Sequence, residues 1–130
     1  KEDLLLSTAN IAPLSHWITP NIESRRFDTR FFIAYLPEKQ IVQHDGLELT
    51  QSLWINPNKA VEMAFKGEMQ MIMPTIKNLQ SCSEFEVAKD MLDNQKRLTN
   101  KDIPPILPKF FKENGNWVGL LPGDDGYEDH

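Results

Sequence analysis

Alternation of apolar side chains is clearest over residues 26–36. On an extended chain Phe31, Ile33 and Tyr35 share one face, and Phe32, Ala34 and Leu36 share the other. A strand that is apolar on both faces is expected to be central and covered on two sides. Pro37 ends the run, and a polar turn at 38–40 leads to Ile41-Val42, where the partner strand of a hairpin is expected. Upstream, His16-Trp17-Ile18-Thr19-Pro20 reads as the end of a strand stopped by proline. Leu47, Leu49, Leu53 and Ile55 alternate with Glu48, Thr50 and Ser52, which predicts a half-buried strand over 47–55, with Trp54 interrupting its polar face. Leu4-Leu5-Leu6 fits a strand or half a helical turn equally well.

Helical spacing takes over after Asn56-Pro57, an N-cap followed by proline at the first helical position. Ala60, Val61, Ala64 and Phe65 then recur until Gly67 closes the helix. Residues 69–73 read as a short apolar strand. Pro74 marks the switch into a helix carrying Ile76, Leu79 and Cys82. Ser83 and Glu86 form a capping-box pattern for a further helix to about residue 96, with Phe85, Val87, Ala88, Met91 and Leu92 as its apolar positions. The methionines Met63, Met69, Met71 and Met73 are read as packing residues. Residues 103–108 hold three prolines and are expected to be extended without forming a central strand. Phe110-Phe111 and residues 117–121 flank Asn114-Gly115, the signature of a two-residue hairpin.

These elements describe an α/β or α+β chain, and composition bounds it further. With 130 residues, 40% apolar and 25% charged, the chain is one small globular domain in size. It is expected to fold over residues 1–122, with 123–130 as an acidic flexible tail or linker. After Lys112 come five acids, Glu113, Asp124, Asp125, Glu128 and Asp129, and no lysine or arginine. The net charge of −5 argues against nucleic-acid binding through bulk charge, and six consecutive apolar residues at 31–36 are too few to span a membrane. One cysteine, Cys82, allows neither an internal disulfide nor a multi-thiolate zinc site, so a cytoplasmic setting is expected. The chain opens on Lys1 with no signal-peptide pattern, and an upstream segment is expected.

The densest candidate chemistry is Arg25-Arg26-Phe27-Asp28-Thr29-Arg30. Three guanidiniums at the mouth of an apolar strand meet either an anion such as phosphate or the one aspartate among them, in a structural pairing. Glu48 sits on the polar face of the expected 47–55 strand as a candidate metal ligand or general base, or as a solvated carboxylate. His16 and His44 have no cysteine or histidine at ligand spacing. His130 is terminal and expected to be disordered. The acids of the tail lack the alternating pattern of a calcium loop, and no glycine-rich phosphate cradle or nucleophile-elbow motif occurs.

In order along residues 12–82, the blocks SHWITP, RRFDTRFFIAYLP, DGLELTQSLWINPNKA and MPTIKNL resemble the C-terminal half of a Nudix hydrolase, in the branch of the coenzyme A diphosphatases. The resemblance implies a partial α/β/α sandwich with a mixed sheet. It also implies hydrolysis of the pyrophosphate in a nucleoside-diphosphate-linked small molecule, coenzyme A by branch, using magnesium or manganese. Arg25, Arg26 and Arg30 match the family's arginine-rich block and are the candidates for substrate phosphate, with Asp28 as their structural partner. Glu48 matches the acid before the strand tryptophan and is a candidate auxiliary acid. The Nudix box itself, which carries the metal-binding glutamates, is absent, for the sequence contains no Arg-Glu and no Glu-Glu dipeptide. This chain alone is therefore expected to bind no cation and to be inactive. Its expected partner is the missing N-terminal half of the protein or a second copy, and the alternative is a non-catalytic Nudix-like binding module for a ligand or protein.

Overall fold

A computed structural model of the chain describes residues 8–130; Leu4-Leu5-Leu6 lies outside the described residues. The elements in chain order are β1 (Ile11–Ile18), β2 (Asp28–Ala34), α1 (Pro57–Phe65), α2 (Met73–Ser83), α3 (Ala88–Gln95), β3 (Pro105–Ile106), β4 (Lys109–Glu113) and β5 (Asn116–Leu120). The fold is α+β with a mixed sheet. Contacts divide the chain into two compact units, one including Ala34–Asn94 and the turn before Ile11, the other Ala12–Ile33 with Gln95–His130.

In the first unit α1 and α2 pack together. Helix α1 is built as its sequence dictates. The Asn56 side chain accepts from the amides of Asn58 and Lys59 at 2.9 and 3.4 Å, and Pro57 occupies a position whose amide needs no partner. At the other end Gly67 takes φ +74°, its amide donates to the Ala64 carbonyl, and Glu68 donates to Met63. That pair of bonds is a Schellman closure, which needs the left-handed backbone glycine supplies. Because Met69 also donates back to Met63, residues 69–73 are drawn into this closure and the approach to α2. The strand expected there does not form.

Helix α2 begins beside Pro74 as expected. Ser83 does not cap the next helix, since its hydroxyl donates to the Gln80 carbonyl at 2.6 Å and finishes α2. Helix α3 starts at Ala88, and its Met91 and Leu92 are buried. Cys82 is half-buried near the end of α2, where burial pushes its thiol pKa up and away from reactivity.

The expected strand over 47–55 is absent for an equally local reason. The Asp45 carboxylate accepts from the amides of Leu47 and Leu49 at 3.0 and 2.9 Å, and Gly46 donates to the Leu49 carbonyl. This turn consumes the amides that a ladder would use. Leu47 is 89% exposed and Trp54 77%. The turn expected before Ile41-Val42 does form, with Lys39 at φ +68° and a bond from Gln40 to the Pro37 carbonyl, but no strand follows it and the hairpin is absent.

The second unit is built on β1. The sheet order is β2-β1-β3, and β1 runs parallel to β3 with His16 opposite Pro105 and Trp17 opposite Ile106. Beyond the end of β1 the Thr19 amide donates to the Phe27 carbonyl just before β2, so β1 and β2 run in opposite directions. His16 and Trp17, on opposite faces of β1, are both buried. The central strand is thus β1, whereas β2, expected to be central and covered, is an edge strand among the described residues, and its Phe32 is 59% exposed. Pairing on both edges belongs to the strand that lies between the others, and residue alternation in β2 carries no information on that.

β4 and β5 form the expected antiparallel hairpin, with Lys109 opposite Leu120 and Glu113 opposite Asn116. Asn114 and Gly115 both have positive φ, as a two-residue turn of this twist requires. Phe110 lies over Gly119, where a Cβ would come within 2.6 Å of the ring. The acidic end beyond residue 122 meets this hairpin: the Tyr127 hydroxyl donates to the Leu107 carbonyl, Lys109 Nζ donates to the Tyr127 carbonyl, and the His130 ring stacks on Phe111 at 3.7 Å. His130, expected to be disordered, is thus placed by a ring contact.

Asn56→Ala removes the oxygen that caps α1, and we expect it to lower the stability of the chain by about 1 kcal/mol in urea unfolding followed by circular dichroism. A second test concerns the Asp45 turn. Its backbone bonds, from Leu49 first and then Leu47, hold the Asp45 carboxyl below its ordinary pKa of 3.8. A depressed pKa means that the turn's contribution is complete above the ordinary value and is lost only as pH falls through the lower one. The Leu47 and Leu49 amide resonances are therefore expected to titrate with a midpoint under 3.8, and a midpoint at or above it would disprove the turn.

Candidate functional site

The arginine block opens the second unit's edge strand, and local bonds decide what each member does. Thr19, just past β1, anchors the approach to β2: its hydroxyl accepts from the Phe27 amide and its carbonyl accepts from Arg26 Nε, both at 2.9 Å. Arg25 lies over the Phe27 ring, 5.0 Å from its centroid. Arg25 and Arg26 thus order the loop between β1 and β2, with their remaining N–H groups facing solvent.

Asp28 is placed differently from the expectation that it pairs with the arginines. Its Oδ1 accepts from His16 Nε2 at 2.6 Å, across from β2 to β1. His16 is 8% exposed, while the Asp28 side chain is 63% exposed. Sequence reading considered His16 only as a zinc ligand and missed this role. The available signal was the polar residue inside an apolar strand, which needs a partner once buried.

Arg30 shares with Asp28 the same face of β2, two residues on. It lines a cleft of about 70 Å³ together with Ser15, His16, Phe32, Asn100 and Ile103. Among the described residues the Arg30 guanidinium takes part in no ion pair and no side-chain hydrogen bond. A guanidinium beside a small cleft, with the carboxylate two residues away bound to His16, is a ready donor fork for an oxyanion.

Glu48 belongs to the first unit and lies exposed in the Asp45 turn. That unit also holds a groove of about 430 Å³ walled by Tyr35, Leu36, Pro37, Val42 and Trp54. No three His, Cys, Asp or Glu side chains converge among the described residues. Asp45 spends its carboxylate on backbone amides and Asp28 on His16, so these residues do not fit the oxygen-rich cage of a divalent cation. Among the described residues no helix is long and apolar enough to cross a membrane.

Comparison with known proteins places this geometry in context. The chain is 30% identical over 120 residues to the acyl-coenzyme A diphosphatase NUDT19 of Xenopus laevis and 29% identical over 115 residues to that of Homo sapiens. In both cases the match takes in 87% of this chain and 31% of the relative. A nudix hydrolase of Caenorhabditis elegans is 25% identical over 122 residues, which is 92% of this chain and 40% of that protein. The chain therefore spans about a third of the length of the curated relatives it matches. No family model and no solved structure matches it. The resemblance read from the SHWITP, RRFDTRFF, DGLELTQSLWINPNKA and MPT blocks holds, and the chain is similar over most of its length to the coenzyme A diphosphatase-like branch of the Nudix hydrolases.

Proposed function

We propose that the chain is the substrate-phosphate-recognising, post-box portion of a Nudix-type pyrophosphohydrolase, acting on a nucleoside-diphosphate-linked small molecule of the coenzyme A class. One observation carries this reading: Arg30 lies unpaired, among the described residues, on a small cleft while the aspartate two residues away is bound to His16. The relatives named for acyl-coenzyme A diphosphatase activity supply the substrate class. Arg30 is the leading phosphate contact in this reading. Arg25 and Arg26 set the loop and lend their outer N–H groups.

Nudix chemistry draws on a divalent cation, which neutralises the diphosphate and helps activate water when it is bound. The 130 residues hold no Nudix box, and no donor cluster of that kind occurs among the described residues. The chain's own contribution is therefore binding and orientation, with the cation-holding glutamates supplied by a segment that carries the box. A binding module without catalysis is the second reading, and the same lack of a donor cluster favours it.

Incubated with coenzyme A and magnesium, this chain is expected to release no 4′-phosphopantetheine above the buffer rate. Measurable magnesium-dependent release, followed by liquid chromatography, would overturn its assignment as the recognition portion alone. In calorimetry the chain is expected to bind inorganic pyrophosphate in EDTA, and Arg30→Ala is expected to weaken that binding by about tenfold or more, the loss of one charge-assisted contact. Equal affinity in the variant would remove Arg30 from the site.

A further inference from the structure

The contact between His16 and Asp28 does more than tie two strands. Asp28 and Arg30 stand two residues apart on one face of β2, a spacing of about 7 Å between Cα atoms, which a carboxylate and a long guanidinium side chain can close. Left to itself, the exposed Asp28 carboxylate is the obvious counter-ion for Arg30. A guanidinium already holding a carboxylate in its fork has one pair of its five donors committed and its charge neutralised, so it takes a phosphoryl oxygen pair less tightly.

The structure shows the other arrangement. The buried imidazole of His16 engages Asp28 Oδ1 at 2.6 Å, and Arg30 is left lining the cleft with His16, Ser15 and Asn100. His16 is fixed on β1, the strand between β2 and β3, so its ring cannot follow Asp28 toward Arg30 without leaving a buried position. We infer that His16 is a positioning residue that sequesters Asp28 and so keeps Arg30 free for an anionic phosphoryl group. The inference rests on the reading of Arg30 as the phosphate contact. It adds the cause of that arginine's availability and makes the histidine–aspartate pair a determinant of affinity.

Three variants of the full chain test it, with inorganic pyrophosphate as the calorimetric probe and circular dichroism as the check on folding. His16→Phe keeps a ring in the buried position but removes the donor, and it is expected to weaken pyrophosphate binding by about tenfold, as a released Asp28 competes for Arg30. The double variant His16→Phe with Asp28→Asn is expected to recover the lost affinity to within about threefold of the parent, a recovery that a purely structural role for His16 would not produce. If His16→Phe fails to fold, His16→Leu takes its place, and the same loss of about tenfold and the same recovery on adding Asp28→Asn are expected. Weaker binding in His16→Phe that Asp28→Asn does not rescue, or a gain of about tenfold from Asp28→Asn alone, would overturn the inference while leaving Arg30 as the phosphate contact. No pyrophosphate binding by the parent chain would overturn the phosphate reading itself, and the sequestration role with it.

Discussion

Strand β1 has both edges paired, and the second unit depends on that. A strand inside a sheet must satisfy its amides and carbonyls on two sides, and the chain meets the demand with β2 running against it and the two-residue β3 running along it. The same central position buries His16 and Trp17 on opposite faces. Burying a histidine obliges it to find a polar partner, and Asp28 is the carboxylate that β2 brings within reach. The backbone constraint therefore extends, through one side-chain contact, to the arginine two residues further along.

The site is electrostatic in character and small in extent. Arg25 and Arg26 are occupied with ring and carbonyl contacts that shape the loop, whereas Arg30 keeps its donors. An arginine of this kind supplies two parallel N–H groups to an oxyanion, and it does so best when no internal carboxylate competes. In the proposed reading phosphate is met by Arg30, while the carboxylates of Asp45 and Asp28 are committed to backbone amides and to an imidazole.

What could be read in the sequence was what is decided locally. Asn56-Pro57 and Gly67 framed α1, and Asn114-Gly115 set the hairpin, because caps and two-residue turns are determined by a few neighbouring residues. The 26–36 pattern identified β2 as a strand but not as an edge, since strand order depends on which other segments pair. Alternation over 47–55 was overridden by Asp45, whose side chain captured the amides of Leu47 and Leu49 before any ladder could. In the arginine block the residue types were legible and the pairing was not. Asp28 lies among three arginines in sequence, yet its partner is a histidine twelve residues away, reached only once β1 and β2 lie side by side.

The most direct measurement is a titration of the isotope-labelled chain with inorganic pyrophosphate, following the Arg30 Nε–H resonance and the His16 ring. The account predicts a saturable shift at Arg30 and smaller changes at His16 and Asn100, while the amides of the Asp45 turn stay unmoved. An unmoved Arg30 resonance, or shifts spread evenly over the basic side chains, would contradict it.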